Sequence, residues 1–142
     1  MVLNPNQQNY LHASLQTFEK ALRLADQLLA AQGSVRGILY YQKSNLDAEM
    51  RQSARNKISL ALQELEILVN QLGLEAKEEN SDQMIMAQMS ASWADLVDSQ
   101  SGRLKGYGDL DRQTAAMIDP ALNRLARLAA ELGEFFTVDS SR

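Results

Sequence analysis

Three stretches of this chain repeat one apolar spacing. Leu11, Leu15, Phe18, Leu22, Ala25 and Leu29 step by 4, 3, 4, 3 and 4 residues. Ala54, Ile58, Ala61, Leu65, Leu68 and Leu72 follow the same steps, as do Ile118, Leu122, Leu125, Ala129, Leu132 and Phe136. Steps of three and four return to one side of a helix, so each stretch predicts a helix with an apolar stripe that must be covered by other helices. Two prolines and seven glycines in 142 residues leave room for long helices.

The helix ends are marked as well. Asn4 before Pro5 predicts an N-cap followed by proline at the first helical position, opening a helix over 5–31 that Gly33 closes. Ser44 with Asp47 resembles a capping box, placing a second helix over 46–72 with Gly73 as its stop. Ser81 is the expected N-cap of a third helix over 82–99, where Ile85, Met86, Met89, Trp93, Leu96 and Val97 share one arc. The three glycines of Ser101–Asp109 predict a loop. A fourth helix over 110–136 follows, kinked or broken at Pro120, because Asp119–Pro120 reads as a helix start while the apolar phase runs through it. Val138–Arg142 reads as a frayed tail. Residues 33–45 leave three options open: a helical turn, an early start of the second helix, or a flap over the bundle end.

The fold class expected from this pattern is all-α. One domain over 1–142 forms an up-down-up-down four-helix bundle, with a three-helix core and one peripheral helix as the alternative. A chain of this length buries enough surface to need no staple.

Several chemistries lack their residues. There is no cysteine, so disulfides, thiolate metal sites and cysteine nucleophiles are excluded, and a cytoplasmic location is the expectation. The N-terminal MVLNPNQQNYLH lacks the pattern of a signal peptide, and no run of 18 apolar residues exists to span a membrane. Net charge is −4, with Lys and Arg scattered among acids, so no nucleic-acid partner is expected. His12 is the single histidine and has no glutamate three residues before it, unlike the Glu-x-x-His pairs of di-metal bundles. No G-x-S-x-G turn offers a serine nucleophile, and the acid pairs Glu64/Glu66 and Glu78/Glu79 fall on polar faces or in a loop. The segment around Arg103 and Lys105 is glycine-rich but matches no phosphate-loop spacing. No catalytic, cofactor-binding or metal residue is therefore assigned.

Two features point to partners. Leu60 and Ile67 lie nearly opposite the Ile58–Leu65–Leu72 side of the second helix, and Leu74 extends their seven-residue step. A helix apolar on two faces touches two things: the bundle core, and either the Ile38–Tyr41 segment folded back, a fourth helix on the far side, or another chain. Tyr40 and Tyr41 add apolar area with polar tips beside a glycine-bounded joint. The sequence thus predicts a non-catalytic helical interaction or adaptor module, self-associating as a homodimer, with Leu60, Ile67, Leu74, Tyr40 and Tyr41 as its partner surface. The other expectation is a small-molecule-binding or sensory bundle walled by Met86, Met89 and Trp93.

Overall fold

The computed structural model describes residues 3–31 and 34–137. Over these residues the chain is mainly helical, with one small sheet. It divides into two compact units, Met1–Lys77 and Glu78–Arg142.

The first unit is a helical hairpin with a β-hairpin at its joint. Helix α1 spans Pro5–Ala30. Asn4 caps it: its side chain accepts from the Gln7 amide at 2.8 Å, and the Gln7 side chain accepts from the Asn4 amide at 3.0 Å. The expected stop, Gly33, lies outside the described residues. Strands β1 (Ser34–Arg36) and β2 (Tyr41–Lys43) then pair antiparallel, with Val35 opposite Gln42. None of the three options left for 33–45 was a hairpin. Its cause is local: Val35, Tyr40 and Tyr41 suit extended backbone, and Gly37 admits the tight return. The Gly37 amide donates to the Tyr40 carbonyl at 2.8 Å. A Cβ at Gly37 would sit 2.8 Å from the Tyr40 ring, so a side chain there displaces the tyrosine.

Helix α2 spans Ala48–Leu72 and runs antiparallel to α1. Asp47 is its N-cap, accepting from the Met50 amide at 2.8 Å, so the expected Ser44/Asp47 capping box does not form; the Ser44 hydroxyl accepts instead from the Leu46 amide at 3.2 Å. Gly73 ends it in the left-handed conformation (φ 67°), and the Leu74 amide reaches back to the Val69 carbonyl at 3.1 Å. Leu74 has therefore left the helical register that its sequence spacing suggested. Ile58 is the buried residue at the centre of α2, with Ala54, Ala61, Leu65 and Leu72 half-buried around it.

The second unit is built on two antiparallel helices, α3 (Ser81–Asp98) and α5 (Arg112–Phe136). Asn80, not Ser81, caps α3, accepting from the Gln83 amide at 3.1 Å. The stretch expected to be a loop folds instead as a short helix α4 (Ser101–Leu104) and a single 3₁₀ turn (Lys105–Tyr107). Gly108 (φ 155°) then turns the chain toward α5, which Asp111 caps by accepting from the Thr114 amide at 2.6 Å. Helix α5 continues through Pro120, so Asp119–Pro120 starts no separate helix. The Asp119 carboxylate is engaged elsewhere, accepting from the Ser101 amide at 2.7 Å and the Ser101 hydroxyl at 2.6 Å.

Small residues make the α3–α5 contact. Ala126, Ala129 and Gly133 are the buried positions of α5, and a Cβ at Gly133 would lie 3.6 Å from Met89 Cβ. The backbones approach closely there because nothing bulky intervenes.

Candidate functional site

The side chains singled out for a partner surface are on show. Leu60 is 60% exposed and Ile67 51%. They project from the side of α2 away from Ile58, two turns apart. Leu74 is half-buried beyond the Gly73 cap, so the line on the helix consists of Leu60 and Ile67 alone. Tyr40 and Tyr41 are exposed at the β-hairpin, and the tip residues Ile38 and Leu39 carry essentially no cover. The structure thus places Tyr40 and Tyr41 together on a projecting turn, and Leu60 with Ile67 separately on α2.

Each helix hairpin also carries an apolar groove. One, of about 450 Å³, runs between α1 and α2 past Leu15, Phe18, Ala61, Leu65, Ile67 and Leu68. A second, of about 330 Å³, lies where the β-hairpin meets the end of α1, against Leu28, Leu29 and Val35. A third, of about 430 Å³, runs between α3 and α5 and is walled by Met86, Met89, Trp93, Ala129 and Gly133. Its Trp93 is 46% exposed, so the indole is a wall of an open trough rather than a core residue.

A further apolar surface was not anticipated from sequence. On α5, Leu125, Leu128, Leu132 and Phe135 are 51%, 53%, 49% and 74% exposed. The stripe predicted for this helix, Ile118 to Phe136, marks the middle of a broader apolar surface. Helix α3 covers one edge of it, at Ala126, Ala129 and Gly133, and leaves the other edge bare. The signal was available as a second line, Ala121, Leu128 and Phe135, offset from the first.

Polar contacts do structural work. His12 is half-buried and donates from Nε2 to the Glu75 carbonyl at 2.8 Å. Asp26 accepts from Arg55 Nε at 2.9 Å, bridging α1 and α2. That guanidinium holds the Asp26 carboxyl below its ordinary range, and the carboxylate in turn raises Arg55. Hydrogen bonds from the Ser101 hydroxyl and amide lower Asp119 in the same way, and the Thr114 amide lowers Asp111. Among the described residues no three of His, Asp or Glu gather as a metal would require, and no helix is long and apolar enough to cross a membrane.

No family model, curated protein or solved structure matches this chain.

Proposed function

We propose that this chain is a non-catalytic helical interaction module that associates with itself. The observation behind this reading is surplus apolar surface. Large apolar residues stand exposed on α1 (Phe18, Leu24), α2 (Leu60, Ile67), α3 (Trp93) and α5 (Leu125, Leu128, Phe135). Contiguous apolar surface, such as the Leu125, Leu128, Leu132 and Phe135 run of α5, marks an interface. The stripes on α1, α2 and α5 are each wide enough for two helical neighbours, while the hairpin supplies one. An up-down-up-down four-helix bundle gives each member two, and closure of that kind belongs to the same proposal. Leu60 and Ile67 on α2, and separately Tyr40 and Tyr41 on the turn, are the exposed residues offered to a helical protein partner, whether a second copy or another chain.

Sedimentation velocity across the micromolar range tests the reading. A mass that rises with concentration supports it, and a monomer throughout rejects it.

A second reading has its own support. The α3–α5 groove is apolar, and methionine with tryptophan makes an adaptable wall for a small hydrophobic ligand. A ligand-dependent rise in melting temperature that Trp93→Ala abolishes would favour it. A flat response across a panel of apolar metabolites would remove it.

A further inference from the structure

We infer that α5 is the seam between two copies of this chain, packed antiparallel about a twofold axis. The inference rests on the self-association reading above and names its surface. Ile118, Leu125 and Leu132 repeat every seven residues, and Ala121, Leu128 and Phe135 repeat in the same way three residues later. These are the a and d positions of a heptad, the spacing of a two-helix seam. The run spans roughly 26 Å at 1.5 Å per residue. Leu125, Leu128, Leu132 and Phe135 are about half exposed or more, while Ile118 and Ala121 are half-buried. Pro120 falls at a c position, on the outer side, and does not interrupt the seam.

The flanking residues choose the partner and its direction. On one side of the seam, the e positions Leu122, Ala129 and Phe136 are buried or half-buried on the side that α3 covers. On the other side, the g positions include Arg124 and Glu131, both exposed. In an antiparallel pair each a position meets a d position, and g meets g. Leu125 then packs on Leu128 of the second copy, Ile118 on Phe135 and Ala121 on Leu132. In that register Arg124 of each copy faces Glu131 of the other, so one twofold axis gives two opposite-charge pairs. A parallel pair sets g against e. Arg124 would then face Ala129, and Glu131 would face Phe136, with no charge matched. The surface is complementary to itself in one orientation only, as an isologous contact requires.

The test measures the dimer dissociation constant of the full chain by sedimentation. Arg124→Glu alone and Glu131→Arg alone each set like charges at both pairs and weaken the dimer roughly tenfold. The double reversal restores it to near the starting value. Circular dichroism checks that helicity is unchanged. Cysteine trapping supplies the direction, since the chain has no cysteine of its own. A mixture of Ile118→Cys and Phe135→Cys chains, oxidised together, gives a mixed disulfide dimer, and neither variant alone does. A monomeric parent protein overturns this seam and the self-association reading together. A dimer indifferent to both single reversals, or dissociated only by the Leu60→Glu/Ile67→Glu double variant, overturns the seam and leaves self-association standing. Homodimers trapped by the single cysteines overturn the antiparallel direction.

Discussion

The two helical hairpins close by opposite means. In the α3–α5 pair, Ala126, Ala129 and Gly133 let the backbones draw together, so short side chains set the spacing. In the α1–α2 pair, Ile58 is the buried residue, Asp26 bonds Arg55 from helix to helix, and His12 of α1 holds the Glu75 carbonyl just past the end of α2. Each pair keeps an open groove of similar size, about 450 Å³ in α1–α2 and about 430 Å³ in α3–α5, so the contrast lies in what is buried at the contact and not in the space beside it. Close backbone approach gives a tight pair with few large residues, and it turns the leucines of α5 outward. Polar tethering holds a looser pair, whose apolar residues are shared between neighbour and solvent.

Gly133 offers the strongest way to break this contrast. Gly133→Leu forces the α3–α5 backbones apart at Met89 and costs about 3 kcal/mol, read as lost thermal stability and faster amide exchange in α3 and α5. If the cost is negligible, small residues do not set the spacing. Ile58→Ala costs about 2 kcal/mol, the low end for a buried isoleucine because the α1–α2 pair is already loose around it. A cost near 5 kcal/mol would mean that α2 is packed far more tightly than the open groove implies. Gly133→Ala sharpens the first test with the opposite sign. Its new Cβ meets Met89 at an ordinary contact distance and the helix loses a flexible residue, so stability rises by about 0.5–1 kcal/mol. A loss instead would mean that the helices tolerate no added atom at this crossing.

Acid gives the smallest effect. Asp26, Asp111 and Asp119 are all held below the ordinary carboxylate range by their hydrogen bonds. A depressed carboxylate stabilises the fold fully above its unfolded value, near about 4, and the contribution disappears as pH falls through that value toward the lowered one. Melting temperature therefore drops on acidification through about pH 4, and the drop is shallower in Asp111→Asn/Asp119→Asn than in Asp26→Asn, since two of the three groups belong to the α3–α5 unit. Equal slopes in both variants would remove that distinction.

Much of this architecture was legible in the residues. The four long helices were readable because their periods and most of their end signals are local: Asn4 and Gly73 act within a few residues of themselves, whereas the cap of α2 proved to be Asp47 and not the Ser44 that the spacing suggested. The β-hairpin was not, since the ten-residue stretch from Ser34 to Lys43 is too short to separate a strand from a helical turn. The covering of each stripe was not legible either. Leu125 and Leu132 were counted as inward because they share the phase of Ile118, yet which edge of a wide stripe a neighbour takes depends on contacts distant in sequence. His12 is a related case: its partner is a backbone carbonyl 63 residues away, which no side-chain pattern announces. Of the residues expected to meet a partner, Leu60 and Ile67 stand exposed on α2 as their angular position implied, whereas Leu74 fell past the Gly73 turn.

The bare Ile38–Leu39 turn has a practical consequence. An endoprotease selecting aliphatic or aromatic residues finds its first accessible bonds there. Scission between Leu39 and Tyr40 would leave α1 on one fragment and α2 on the other, joined by the three paired positions of β1 and β2 and by the Asp26–Arg55 link. Limited digestion is accordingly a route to a split form of this unit, in which reassembly of the two pieces reports how strongly α1 holds α2.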